Sequence, residues 1–212
     1  MVPIYNWVDR SIFGNYRPVS LTSVVCKQKE HIIAGQLRHV WEMSGWLYEG
    51  QHGSRPGYSC QSQLVTVCQD IGDSMDEGIR RDTIIMDVSN AFDLVPHDRL
   101  LTKMAATGLD LRVVVWVKEF LLGSSQRVRV EGKLSEEFRV TSGVSKGSVL
   151  GSPIFLADDN DVWRNLESNI WLFLDDCTRF WKTTDSSDID NTDIQPKTSI
   201  DEIILLWLFC GC

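Results

Sequence analysis

The sequence predicts an α+β fold, in which helices and antiparallel strands occur in separate runs along the chain. Three observations lead to this prediction. The 212 residues are 43% apolar, which is enough to bury a core in one domain or in a compact two-subdomain unit. Helical periodicity marks residues 27–46, 59–75 and 98–122, whereas strand-like patterns mark residues 83–88, 126–141 and 169–182. No internal repeat interrupts this order.

Two helices and a strand are predicted in the first half of the chain. Lys27–Trp46 has apolar residues at helical spacing. Ser59 is a suitable N-cap for a second helix. The apolar residues of this helix share one face and are Leu64, Val67, Cys68, Ile71 and Met75. Thr83–Val88 is an apolar, β-branched run, typical of a buried central strand, and it ends at Ser89-Asn90.

Two further helices and a hairpin follow. Asp98–Thr107 is predicted to be a helix that ends at Gly108, and Asp110 is expected to cap another that runs to Leu122. The hairpin is predicted from two alternating segments on either side of a glycine turn. Its strands and turn are Gln126–Val130, Glu137–Thr141 and Gly132-Lys133. We expect Trp116 and Leu121-Leu122 to lie in the core.

The last part of the chain contains one ambiguous segment and two strands. Ser148–Val162 favours a helix. Asn169–Leu174 and Cys177–Lys182 favour two strands joined at Asp175-Asp176. Asp185–Asp201 is polar and aperiodic, and we interpret it as a loop or tail.

The charges exclude binding of nucleic acid through bulk positive charge. The chain has 21 basic and 29 acidic residues, and the net charge of −8 comes entirely from residues 151–212. Any polyanion would therefore need local cationic side chains or metal ions. Six scattered cysteines without a Cys-x-x-Cys pair indicate reduced thiols. The apolar run Ile203–Phe209 is far shorter than the roughly 20 residues of a membrane span. We therefore expect an intracellular protein, nuclear or cytoplasmic, with no membrane partner.

Acidic residues follow two of the predicted strands. With 19 aspartates, about two Asp-Asp pairs are expected by chance, and two occur, Asp158-Asp159 and Asp175-Asp176. Only the second pair follows an apolar strand, and Asp87 ends the run Thr83–Met86 in the same way. Acids at strand ends that share one space can form a two-metal site for phosphoryl transfer. The alternative is that they are solvated turn residues.

Five segments together carry a specific resemblance. They are Asn15–Ser23, Gln51–Gly57, Asp87–His97, Ser142–Gly151 and Phe173–Asp176. In this order and spacing they resemble successive motifs of the reverse transcriptases of non-LTR (LINE-type) retrotransposons. The resemblance covers about residues 2–182. It implies a fingers and palm fold with an antiparallel palm sheet packed on helices, mainly fingers over 1–80 and mainly palm over 81–182. Residues 183–212 would then form a divergent tail, with the thumb absent.

The resemblance assigns a metal site. Asp87 matches the first catalytic aspartate of the family, and Asp175 and Asp176 match the paired ones. In the family these carboxylates hold two Mg²⁺ ions, which suit oxygen ligands and leave positions open for phosphate. Val88 would add its backbone carbonyl to the same metal.

The resemblance also assigns nucleotide-binding residues. Arg17 matches an arginine that grips the incoming triphosphate, and Phe92 matches the bulky residue that blocks a ribose 2′-hydroxyl. Lys146 and Gly147 lie in a nucleotide-binding motif, where Lys146 replaces a glutamine of the family. Taken singly, Phe92 could be a core aromatic, Arg17 a surface residue and Gly147 a turn glycine.

The implied function is RNA-directed DNA polymerisation with an RNA template, a DNA primer and deoxynucleotides. One alternative is a catalytically inactive, degenerate remnant with at most non-specific nucleic-acid binding. Another is an unrelated acidic metal-binding protein such as a phosphatase. Asp158-Asp159 comes too early to match the paired aspartates. These two acids fall at usually apolar positions, where a buried unpaired charge would destabilise the fold.

Overall fold

The computed structural model describes residues 1–5, 9–79, 81–88, 90–165 and 170–182. They contain helices and antiparallel strands, as an α+β fold requires. The described residues form two compact units: the first lies within 1–46 and 90–158, and the second within 47–89 and 159–182. None of the helices within the described ranges is long and apolar enough to cross a membrane.

The first unit begins with a strand pair and a long helix. Strand β1 (Val2–Tyr5) pairs antiparallel with β2 (Tyr16–Val19). Helix α1 (Val24–Met43) begins three residues before the predicted Lys27, because the Ser23 side chain accepts a hydrogen bond from Cys26 N at 3.2 Å. Its fully buried apolar residues are Ala34, Leu37 and Trp41.

Three further helices of the first unit lie near their predicted positions: α4 (His97–Ala105), α5 (Leu111–Leu122) and α6 (Gly151–Asp159). A short helix, α3 (Ala91–Leu94), was not predicted. The last residue of α6 already belongs to the second unit. Asp110 caps α5 as predicted, with its side chain accepting from Arg112 N at 2.8 Å. Leu121 is buried, but Leu122 is 40% exposed and does not belong to the core. The predicted helix 148–162 is shortened to α6 and a separate 3₁₀ turn (Val162–Asn165).

The predicted hairpin forms two short ladders. They are β4 (Ser125–Gln126) with β7 (Phe138–Arg139), and β5 (Arg129–Val130) with β6 (Lys133–Leu134). The tight turn comprises Glu131 and Gly132, one residue earlier than predicted. Both residues have positive φ, 49° and 81°, as the two central residues of a type I′ hairpin turn require.

Helix α2 (Cys60–Asp76) of the second unit has the predicted cap and an unexpected orientation. Ser59 and Ser62 form a reciprocal capping box. The apolar face is largely exposed, with Leu64 at 61% and Met75 at 74%. The helix instead buries Ser74 and, through Asp70, accepts a hydrogen bond from the indole of Trp171 at 2.9 Å.

Among the described residues, the sheet of the second unit has three strands in the order β3 (Arg81–Asp87), β9 (Asp176–Lys182) and β8 (Ile170–Phe173), all antiparallel. Within this described sheet β3 lies at an edge, and 76% of Ile85 is exposed, so the prediction of a buried central strand is wrong. The reason is that neighbouring residues of a strand point to opposite faces of the sheet, and Met86 packs on the core while Ile85 lies on the other face. That core contains Ile170, Leu172 and Cys177, with Tyr48 and Met86 against it.

A short segment extends the sheet beyond β8. Leu172 N donates to Gly50 O, and His52 N donates to Leu172 O, both at 2.8 Å. Gln51 therefore lies beside Leu172 in a parallel bridge. This single rung brings the segment 50–53 next to the turn between β8 and β9.

Candidate active site

Three acidic residues meet at one end of the sheet in the second unit. Asp87, the last residue of β3, is directly opposite Asp176, the first residue of β9. Directly opposed residues point to the same face, with Cβ atoms about 5 Å apart. Asp175 immediately precedes Asp176, and its carbonyl accepts from Val88 N at 3.4 Å. The fold thus brings Asp87, Val88, Asp175 and Asp176 together, and we call this group the acidic end.

The turn that carries Asp175 differs from the sequence-based prediction. The two turn residues are Leu174 and Asp175, and Asp176 already belongs to β9. Leu174 has φ 56°, in the left-handed region that favours glycine. Such backbone strain tends to occur at functional sites, where surrounding contacts maintain it.

Mutual repulsion characterises the acidic end. The pKa of Asp176 is raised, first by burial and then by the negative charges of Asp175 and Asp87. Like charges that face one another disfavour ionisation, and a cation placed between them would remove this penalty.

The donor set of the acidic end fits a hard divalent cation. Carboxylate and carbonyl oxygens are the ligands that Mg²⁺ prefers. Across the described ranges, however, no group of three or more His, Cys, Asp or Glu side chains is arranged to hold a metal ion. The chemistry of the residues therefore fits, while their side chains do not form a closed ligand set.

The other predicted site residues belong to the first unit, where Arg17, Lys146 and Gly147 lie in adjoining segments. Ser20 N, which follows β2, donates to Lys146 O at 2.7 Å. Gly147 has φ 92°, and a Cβ on it would lie 2.9 Å from Ser20 O. Only glycine allows this close approach. Arg17 on β2 is exposed and available to a ligand.

Phe92 and Lys146 lie on neighbouring segments of the same unit. Val144 N donates to Phe92 O at 2.7 Å, which joins the 142–147 loop to α3. The Phe92 ring stacks on the buried Phe155 with centroids 4.2 Å apart, so the residue has a packing contact as well as a partly exposed surface. Lys146 Nζ donates to Asp93 Oδ2 at 2.9 Å.

A cavity of about 280 Å³ opens beside these residues. It lies between the end of β2, Asp93 and the 138–145 segment. Its lining includes Pro18, Ser20, Asp93, Gln126, Phe138 and Ser142. Its size approaches the lower end for small-molecule pockets.

Sequence reasoning missed a buried carboxylate that fixes the loop after Gly147. Glu30 of α1 is fully buried and accepts from Ser148 Oγ at 2.6 Å, from Val149 N at 2.7 Å and from Leu150 N at 3.3 Å. Burial raises the pKa of Glu30, but these hydrogen bonds and one from Cys26 outweigh it, and the net pKa is lowered. Nothing local in the sequence around Glu30 signals this role, because its partners lie some 118 residues away.

The early acid pair is buried, as the sequence suggested, but each member has a partner. Asp158 is 8% exposed and lies 4.0 Å from Lys103 Nζ, which also donates to the Asp158 backbone carbonyl. Asp159 is 2% exposed and accepts from Gln51 Nε2 at 3.2 Å. Partners distant in sequence therefore lie beside both acids, a cation beside Asp158 and a neutral amide donor beside Asp159.

Comparison with protein families identifies the chain. The family described as reverse transcriptase (RNA-dependent DNA polymerase) matches residues 9–197. The chain belongs to the reverse transcriptase family. The LINE-type resemblance inferred from the five segments is confirmed, because the reverse transcriptase domain is also similar to polymerases of Drosophila transposons.

Two of these relatives illustrate the extent of the similarity. The probable RNA-directed DNA polymerase from transposon X-element of Drosophila melanogaster is 32% identical over 149 residues, which is 70% of this chain and 16% of the relative. The RNA-directed DNA polymerase from mobile element jockey of Drosophila funebris is 28% identical over 141 residues, 66% of this chain and 15% of the relative. The chain thus spans about one sixth of the length of these relatives.

Solved structures support the same fold. Apo telomerase from Candida tropicalis matches with a TM-score of 0.58 at 10% identity, covering 85% of this chain and 34% of the telomerase chain. Telomerase from Candida albicans in complex with a fragment of telomeric RNA matches with a TM-score of 0.54 at 11% identity, covering 78% and 32%. The prediction of a reverse transcriptase fold is therefore confirmed.

Proposed function

We propose that this reverse transcriptase domain carries the fingers and palm of a retrotransposon RNA-directed DNA polymerase. Its substrates would be an RNA template, a DNA primer and deoxynucleoside triphosphates. The observation that carries the proposal is the register pairing of Asp87 with Asp176, beside Asp175, in a chain of this family.

Asp87, Asp175, Asp176 and the Val88 carbonyl would hold two Mg²⁺ ions. Reverse transcriptases are generally metal-dependent. The pKa of Asp176 is raised by burial and by the negative charges of Asp175 and Asp87, and a cation would relieve that repulsion. When bound, the ions would activate the primer 3′-hydroxyl and neutralise charge on the phosphates. The primer oxygen forms a bond to the α-phosphorus, and the bond from that phosphorus to pyrophosphate breaks.

The first unit would bind the nucleotide. Arg17 and Lys146 offer cationic groups to the triphosphate, and charge-assisted contacts of this kind are strong. Gly147 permits the close packing of the loop on β2. Phe92, which is only partly buried, would exclude a ribose 2′-hydroxyl by steric clash.

The second candidate function is an inactive remnant that binds nucleic acid without specificity. The ion pair between Lys146 and Asp93 favours this alternative, because it occupies the cation that would contact phosphate. A lysine also cannot accept the hydrogen bonds that a glutamine accepts at this position.

Primer extension on an RNA template with Mg²⁺ tests the proposal. We expect extension by the wild-type chain, its loss in Asp175→Asn, and its retention in the matched control Asp98→Asn, whose carboxylate is exposed on α4. Absence of extension from a folded wild-type chain would contradict the polymerase proposal and favour the remnant.

A further inference from the structure

A buried amide lies beside the turn of the acidic end. Gln51 is 3% exposed. Its Oε1 accepts from Gly53 N at 2.8 Å and from Leu174 N at 3.0 Å. Its Nε2 donates to Asp159 Oδ2 at 3.2 Å. One side chain therefore connects the turn residue before Asp175 with Asp159, an acid that the proposed function leaves unused.

The partners fix which way this amide points. Two backbone N–H groups face Oε1, and a carboxylate faces Nε2. A flipped amide would direct N–H toward N–H and oxygen toward a carboxylate, and it would lose all three hydrogen bonds. Asp159 thus orients Gln51, and Gln51 in turn offers its oxygen to Leu174 N.

The turn held by Gln51 is one that Leu174 would not adopt readily. Its φ of 56° lies in the left-handed region, where the Cβ of a non-glycine residue is too close to the following carbonyl oxygen. Gly53 packs so closely that a Cβ would lie 2.5 Å from Leu174 N. The conformation is maintained by these contacts from the 51–53 segment rather than by the preference of the turn residues.

We propose that Gln51, oriented by Asp159, is a positioning residue for the acidic end. It holds the amide of Leu174 and thereby sets the direction in which Asp175 and Asp176 leave the turn. The catalytic consequence of this inference rests on the proposed polymerase function. Outer-shell groups that orient metal-binding side chains typically contribute about 10–100-fold in affinity or activity.

The first test compares Gln51→Leu with the matched control Gln61→Leu, an exposed glutamine on α2. Amide hydrogen exchange at Leu174 and Gly53, followed by NMR on the full chain, should accelerate about tenfold or more in Gln51→Leu and stay unchanged in the control. Primer extension should fall about 10–100-fold in Gln51→Leu, with a higher Mg²⁺ concentration at half-saturation.

A second pair of variants separates positioning from simple packing. Gln51→Glu keeps an acceptor for both amides but sets two carboxylates against each other. Adding Asp159→Asn restores a donor opposite that acceptor. We expect Gln51→Glu to slow extension and the double variant to recover most of the rate and the slow exchange at Leu174. If Gln51→Leu fails to fold, these two variants still test whether Gln51 positions the turn.

The outcomes distinguish the two proposals. Unchanged exchange at Leu174 in Gln51→Leu, or no recovery in the double variant, would overturn the positioning role. A wild-type chain that extends no primer, while exchange responds as expected, would contradict the polymerase function and leave the positioning of the turn supported. If the wild-type chain and Gln51→Leu extended primer equally well, the polymerase function would be supported and the positioning role of Gln51 contradicted.

Discussion

Removing one charge from the acidic end should stabilise the fold while abolishing the proposed catalysis. Asp176 faces Asp87 in register and follows Asp175, and its pKa is raised by burial and by these two neighbours. A raised pKa means that the folded chain binds a proton at Asp176 more tightly than the unfolded chain does. The ionised group therefore costs stability above its folded pKa, and this cost disappears as the pH falls through that pKa. Asp176→Asn imitates the protonated form.

The expected gain follows from the separation of the charges. Two unit charges about 5 Å apart repel by roughly 1 kcal/mol in a water-like dielectric and by roughly 3 kcal/mol at an effective value of 20. Partial burial raises the pKa of Asp176, but the residue as a whole remains exposed, so solvent screening places the repulsion near the lower figure. A gain of about 1 kcal/mol corresponds to a rise in Tm of about 2–4 °C for a chain of this size.

Thermal melts with and without Mg²⁺ measure this effect. At pH 7 the Tm of Asp176→Asn should exceed that of the wild-type chain, and the difference should shrink as the pH falls through the raised pKa of Asp176. Addition of Mg²⁺ should raise the wild-type Tm and leave that of Asp176→Asn nearly unchanged. Asp98→Asn serves as the control, with the wild-type response to Mg²⁺. A lower Tm in Asp176→Asn, or an equal Mg²⁺ response in both chains, would refute the reasoning.

Three further predictions concern residues that shape the two units. Gly53→Ala should lower the free energy of unfolding in urea by about 1–3 kcal/mol because its Cβ meets Leu174 N. Gly35→Ala is the control, because a Cβ at this helical position would have nothing within 4 Å, and it should be neutral or stabilising. If Gly53→Ala and Gly35→Ala changed the free energy of unfolding equally, the clash at Gly53 would be contradicted. Glu30→Gln should cost about 1 kcal/mol at pH 7 through loss of charge-assisted hydrogen bonds. Because the pKa of Glu30 is lowered, urea melts should show this difference declining as the pH falls through that pKa, and a difference that does not decline in acid would argue against this role. Gly147→Ala should raise the KM for deoxynucleotide in primer extension about tenfold, since the loop must move off Ser20 by several tenths of an ångström, and an unchanged KM would exclude this contact from nucleotide binding.

The features predictable from sequence were those with a local signal. Ser59 could be identified as a helix cap because a side-chain oxygen accepts from an N–H three residues on. Asp87 and Asp176 could be expected at strand ends because apolar, β-branched runs stop beside them. The five segments were recognisable because their order and spacing are specific to one family.

The features that sequence missed depend on contacts between distant segments. The apolar face of α2 gives the same periodicity whether it is buried or exposed, so the sequence alone could not reveal that Leu64 and Met75 face outward. The link between Gln51 and Asp159 spans 108 residues and carries no local pattern. The turn at Leu174-Asp175 was predicted one residue late, because leucine is a rare choice for a left-handed turn position.

The separation of β3 from β9 along the chain has a consequence for biosynthesis. Asp87 and Asp176 are adjacent in the sheet but lie 89 positions apart, so a ribosome that adds about 5–20 residues per second needs several seconds to pass from one to the other. During that interval β3 has no β9 to pair with, and the apolar side chain of Ile85 adds to its tendency to aggregate. A nascent chain that stops before residue 176 cannot assemble the acidic end. Chaperone demand should therefore be greatest in this window of synthesis.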